Sequence, residues 1–177
     1  MKSQNSKITI IQKENNILRK VAKEVPTKNI QSEEIRNVIR RLKKVISENE
    51  EAVAAAAPQI GKSLRIFVVT EYILSLHTEE DKKENYGYLI FINPKIIKKS
   101  REQKMLTEGC LSVTNIYGTI KRFEKVKVEA YDENGKKFTR GASGLFSQII
   151  QHETDHLDGF LFIDKAIMLK KYGKSTD

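Results

Sequence analysis

The sequence has no tryptophan, only three prolines and a single cysteine in 177 residues. One thiol allows no disulfide within the chain, which leaves Cys110 as a buried apolar thiol, a reactive thiol or a metal ligand. No apolar run approaches the ~20 residues that a membrane-spanning helix needs. The start, MKSQNSK, lacks the apolar core and small-residue cleavage site of a signal peptide. No membrane association and a cytoplasmic address are therefore expected. Acidic side chains are in the minority, 23 Asp+Glu against 32 Lys+Arg, for a net charge of +9. Such an excess attracts anionic surfaces such as RNA. The lysines are scattered rather than blocked, which is the pattern of a solvated surface, and no sequence-specific nucleic-acid binding is expected. Internal repeats, linkers and low-complexity tracts are absent.

What is present fits one α+β domain over residues 1–177, with 39% hydrophobic and 31% charged residues. Between Ser32 and Glu50, Ile35, Val38, Ile39, Leu42, Val45 and Ile46 fall at helical spacing, with Ser32 as N-cap and a charged opposite face. Residues 8–11 (ITII), 64–70 (LRIFVVT) and 88–94 (YLIFINP) read as strands. Residues 17–26 read as a short helical or extended piece ending at Pro26, and 70–87 as an exposed polar excursion containing His77. Asn134-Gly135, between VKVEAY and KKFTR, signals a hairpin because both residues tolerate positive φ. Residues 143–158 read as a helix, with Ser143 as N-cap and Gly159 as the stop.

The chemistry is carried by QHETDHLDG, residues 151–159. His152 and His156 are four apart, so a helix projects them from one face, where two imidazoles can share one metal ion. Glu153 beside them can take a proton from water. Leu145, Ile149, His152 and His156 share one stripe, apolar at its start and imidazole at its end. A catalytic metal of this kind has three protein ligands and one open position. No histidine or glutamate follows His156, which argues against metalloproteases with a downstream third ligand. Asp158, Asp164, His77 and Cys110 remain. Asp158 sits too near on the same helix to close a tetrahedron comfortably, and His77 lies in a polar loop. A lone cysteine is more often a small buried apolar residue; the need of the histidine pair for a partner turns the reading toward Cys110.

With these residues in place, the sequence resembles the peptide deformylases. AVAAAAPQIG at 52–61, EGCLS at 108–112 and QHETDH at 151–156 stand in the family's order, and the resemblance runs from about residue 8 to about residue 166. It implies antiparallel sheets packed around a central metal-binding HExxH helix. The implied function is hydrolysis of the formyl group from N-terminal formyl-methionyl nascent polypeptides, releasing formate. The resemblance gives Cys110, His152 and His156 as ligands of one divalent transition metal, Fe2+ in the cell with Zn2+, Ni2+ or Co2+ substituting. A thiolate and two imidazoles suit that group of ions. Glu153 is then the general base, and the Leu111 N–H and Gln59 amide face the oxyanion. Backbone groups of Val53, Ala54 and Gly109 grip the peptide as an added strand. Leu145, Ile149 and the stem of Glu108 line the methionine pocket, and Arg122 pairs with Asp155 in support.

Some positions depart from the pattern. Ala52 and Ala54 replace two customary glycines, at a cost if either needs positive φ. Gln148 faces the methionine pocket. The basic C-terminal stretch, 165–174, is brief for transient ribosome contact of the kind some relatives make. The rival readings are an HExxH amidase or peptidase of other specificity, and a non-catalytic homologue that binds ribosomes or nascent chains. The intact ligand and base set argues against the second.

Overall fold

The 19-residue span from Ser32 to Glu50 delivers its helix, which the computed structural model of the protein places at α1 (Glu33–Ser47). The structure describes residues 8–76 and 86–172, so His77 lies outside the described residues. The Ser32 hydroxyl accepts from the Ile35 N–H at 3.4 Å, and Glu33 and Glu34 set negative charge against the helix N-terminus. All six predicted apolar residues are buried. At roughly 1.5–3 kcal/mol for each large apolar side chain removed from water, that stripe fixes the helix to the sheet beneath it.

The sheet follows from two runs rich in β-branched and aromatic residues. β1 (Ala54–Ala56), β2 (Ile66–Thr70), β3 (Tyr88–Lys99), β6 (Lys125–Tyr131) and β7 (Lys137–Ser143) form one antiparallel sheet in the order β1-β2-β3-β6-β7. β3 runs past Pro94, whose missing N–H falls where the register with β6 shifts between Ile92 and Lys95. Side chains alternate between two cores. Ile66, Val68, Ile90 and Ile92 pack with α1, while Phe67, Val69, Phe91 and Val128 pack with α3 (Gly144–Leu157) on the opposite face. The short helix α2 is Tyr72–Ser75.

A second antiparallel sheet has the order β4-β5-β8, from β4 (Gln103–Cys110), β5 (Val113–Phe123) and β8 (Met168–Lys171). It carries a smaller core around Leu18, Ile116, Ile120 and Phe162. The helix α3 touches β1, β6 and β7 of the first sheet and β5 of the second.

Several expectations are corrected. Residues 8–11 form no strand; they are an extended strap, tied by the Ile11 N–H to the Gln59 carbonyl at 2.8 Å and by the Lys13 N–H to the Ser112 carbonyl at 2.9 Å. Only Gly135 of the hairpin pair takes positive φ (77°), because the Asp132 carboxylate accepts from the Asn134 and Lys136 N–H groups and rounds a longer loop. Ser143 stands at the N-cap of α3 without a side-chain cap bond. The α3 stripe also differs: Ile149 and His156 are buried, but Leu145 is 38% exposed, since the helix begins at the surface and enters the interior only further on.

Candidate metal centre

Two elements bring three donors together. His152 and His156 leave one face of α3 a turn apart. Cys110 ends β4 where the register with β5 breaks, between Glu108 opposite Gly118 and Cys110 opposite Val113. The Cys110, His152 and His156 donor atoms lie within 4.8 Å of one another, and Cys110 Sγ is 3.2 Å from His156 Nε2. Tetrahedral coordination with metal–sulfur bonds of about 2.3 Å and metal–nitrogen bonds of about 2.1 Å spaces donors about 3.5 Å apart. The residues present therefore fit a single ion of this class.

The surroundings prepare each donor. Cys110 Sγ accepts from the Gln59 side-chain amide and from the Ser112 N–H, each at 3.4 Å. Burial raises the thiol, but the charge on His156 and the hydrogen bond from His152 override it and hold it well below its ordinary value. Burial lowers His152, yet its hydrogen bonds to Cys110 and Glu108 carry it well above the usual imidazole range. Both shifts favour the charged forms of the pair, and a divalent cation held by these residues would displace the protons the donors carry.

Glu108 orients His152. Its carboxylate accepts from His152 Nδ1 at 2.9 Å and from Arg122 Nε and Nη2 at 2.7 and 2.8 Å. Burial alone raises this carboxyl; the Arg122 and His152 hydrogen bonds bring it down to about 2. As an ionised acceptor it makes Nδ1 the protonated nitrogen and leaves Nε2 for ligation. The other Arg122 amino group donates to Asp155 at 2.7 Å, and Lys165 donates to the same carboxylate at 2.5 Å. The Arg122–Asp155 pair follows the expectation. Glu108, whose stem was expected to line the methionine pocket, borders the cavity, and the residue is 5% exposed with its carboxylate held in the ion-pair network.

Glu153 is buried beside the donors, and burial pushes its carboxyl up against the lowering charges of His152 and His156. Among the described residues, the buried side-chain atoms without a hydrogen-bond partner are Glu153 Oε2 and His156 Nδ1. An unmet buried polar group costs about 1–3 kcal/mol, so Glu153 Oε2 marks a place built around something other than the fold, while His156 Nδ1 belongs to the ring edge away from the Nε2 that faces Cys110. Gln59 is also buried; its amide oxygen accepts from the Ala56 N–H at 2.8 Å while its nitrogen turns toward Cys110 and Ser112.

Gln59, Glu108, Cys110, His152 and Glu153 border one cavity of about 850 Å3. Val53, Ala54, Gly109, Leu111, Leu145 and Ile149 line it, so every residue expected to meet substrate reaches the same space. Ala52 and Ala54 carry no positive-φ strain, because among the described residues the non-glycine ones with positive φ are Asn93 and Asn115. Gln148 lines the cavity with its amide nitrogen tied to the Thr107 carbonyl at 2.9 Å. The residue whose role sequence reasoning missed was Glu108, and Ser112 was not singled out. A period-two signal was available for Arg122, since Ile116, Gly118, Ile120 and Arg122 all occupy buried positions of β5.

An α+β fold in which a helix carrying two histidines one turn apart receives a cysteine from a strand end defines a protein with a candidate Cys/His metal site. The chain belongs to the polypeptide deformylase family, whose model matches residues 7–172. Peptide deformylase 2 of Clostridium acetobutylicum is 39% identical over 153 residues, 85% of this chain and 89% of that one. The chloroplastic peptide deformylase 1A of Solanum lycopersicum is 39% identical over 155 residues, 84% of this chain but 56% of its own length. The chain thus spans little more than half of the plant relative. A class I type b peptide deformylase from Acinetobacter baumannii, solved with Met-Ala-Ser bound, superposes with a TM-score of 0.76 at 27% identity, covering 88% of this chain and 96% of that one.

Proposed function

We propose that this chain hydrolyses the formamide bond of N-formyl-methionyl nascent polypeptides. Water oxygen bonds to the formyl carbon, the carbon–nitrogen bond breaks, and formate and a free amino terminus leave. The observation that carries this reading is the buried Glu153 carboxylate, one oxygen without a protein partner, beside Cys110, His152 and His156 in a cavity of peptide size. Those three residues would hold one Fe2+ in the cell, or Zn2+, Ni2+ or Co2+, at the HExxH helix at the heart of the fold. Such an ion, when bound, acts as a Lewis acid toward the formyl carbonyl and makes water acidic enough to react at neutral pH.

The chain's own groups do the rest. Glu153 takes the proton from water and passes it to the departing amine, a role suited to a carboxyl whose pKa burial has raised. The Gln59 amide and the Leu111 N–H stabilise the oxyanion. Val53, Ala54 and Gly109 align the peptide backbone as an extra strand. Leu145, Ile149 and the Glu108 stem border the methionine side chain, and Glu108 also holds His152 in its ligating tautomer. The Met-Ala-Ser held by the Acinetobacter relative supports a peptide ligand with a leading methionine. Residues 1–177 act as one catalytic domain, in the cytoplasm, with transient ribosome contact as nascent chains emerge.

The test is metal content and formyl-Met-peptide turnover in wild type, Glu153→Ala and Cys110→Ser, with an unformylated peptide as control. Glu153→Ala keeps metal and loses turnover; Cys110→Ser weakens metal retention. Cleavage of the unformylated peptide without deformylation overturns the reading in favour of a peptidase.

A further inference from the structure

The N-terminal strap touches both halves of the site through their backbones. The Ile11 N–H donates to the Gln59 carbonyl at 2.8 Å and the Lys13 N–H to the Ser112 carbonyl at 2.9 Å. Between them, the half-buried Gln12 side chain donates from Nε2 to the Leu111 carbonyl at 3.1 Å and to the Ile10 carbonyl at 3.3 Å. Two carbonyl acceptors identify that end of the amide as its nitrogen. Gln12 and Leu111 are 99 residues apart in the chain, so the fold, not a local turn, brings them together.

The bond falls on a peptide unit that matters to the site. The Leu111 carbonyl and the Ser112 N–H belong to one planar group, and that N–H donates to Cys110 Sγ at 3.4 Å. Gln12 thus holds the oxygen end of a plane whose hydrogen end meets the sulfur. A carbonyl that accepts a hydrogen bond polarises its amide and strengthens the donation from the same N–H. The next plane is held as well, by Lys13 on the Ser112 carbonyl. Ser112 is fully buried, and its hydroxyl accepts from Gln59 Nε2 at 3.2 Å. Only the two rotatable backbone bonds of Leu111 separate the held plane from the Leu111 N–H.

We propose that Gln12 is a positioning residue for the reaction. Its amide holds the Leu111–Ser112 peptide so that the Ser112 N–H meets the Cys110 sulfur and the Leu111 N–H meets the oxyanion. The oxyanion half rests on the deformylase reading; the hold on the sulfur rests on the hydrogen bonds alone.

The experiment compares wild type with Gln12→Met, which keeps the length but removes the donors, and with Gln12→Lys, which returns a donor at similar reach. Gln12→Glu, donorless when ionised, is a second loss variant should Gln12→Met fail to fold. Three quantities are read: hydrogen exchange of the Ser112 amide in the metal-free protein, the sulfur-to-cobalt charge-transfer band of the Co2+-loaded protein, and kcat and KM for formyl-Met-Ala-Ala. Loss of the donor speeds Ser112 exchange by about tenfold, shifts the band, and lowers kcat by about tenfold at unchanged KM and Co2+ content. Gln12→Lys returns all three toward wild type. An unmoved band and exchange rate, a change confined to KM, or a loss that Gln12→Lys does not restore overturns the proposal. A shifted band and exchange rate with unchanged kcat overturns its oxyanion half. If wild type itself turns over no formyl peptide while band and exchange respond as stated, the activity reading fails and the hold on the sulfur stands.

Discussion

The two helices that cover the five-stranded sheet bury different things. The face that α1 presents holds Ile35, Val38, Ile39, Leu42, Val45 and Ile46, with no polar side chain among its buried residues. The buried residues of α3 include Ser147, Gln151, Glu153, Thr154, Asp155 and His156. Four of these six are satisfied by the fold: Ser147 and Gln151 bond the Phe123 backbone, Thr154 bonds the Ile150 carbonyl, and Asp155 bonds Arg122 and Lys165. Glu153 and His156 each keep a buried atom without a partner. One side of the sheet is thus optimised for burial alone, and the other gives up some of that gain to hold groups the fold does not need.

Four changes can break or sharpen that contrast. The largest effect is expected from Glu153→Ala, which should lower formyl-peptide turnover by about 10²–10⁴-fold at unchanged metal content; retained turnover would make the unpartnered carboxylate a bystander. Arg122→Leu removes the buried cation that Glu108 and Asp155 share, leaving Glu108 with His152 and Asp155 with Lys165, so denaturant unfolding should show a loss of about 3–5 kcal/mol. Leu42→Ala, fully buried on the α1 side, should cost about 2–5 kcal/mol of stability. It should also leave metal affinity unchanged, and a fall in that affinity would erase the distinction between the faces. Glu108→Gln keeps the shape but weakens the hold on His152, and competition with a chelator should reveal a drop in metal affinity of about 10–100-fold.

The α1 side was legible in the sequence because a single period of 3.6 residues decides it. The HExxH spacing was legible for the same reason, since i and i+4 meet on any helix. The second sheet was not. In β4, five of the eight residues of QKMLTEGC are exposed and the one buried residue is Glu108, so there is no apolar alternation to read. In β5, Thr114, Asn115 and Gly118 resemble loop residues, and Asn115 does take positive φ. Without that sheet's register, Glu108 could only be placed near the pocket. Its bonds to Arg122, 14 residues away, and to His152, 44 away, depend on how two strands and a helix meet. Leu145 shows the converse error: a correct helical stripe does not say how deep the helix lies at each end.

The claim on which the account turns is that Cys110, His152 and His156 enclose one ion. X-ray absorption at the metal edge of the loaded protein tests it most directly. One sulfur at about 2.3 Å with two nitrogens at about 2.1 Å is the expected shell. A shell of nitrogen and oxygen alone, with no sulfur, would contradict it.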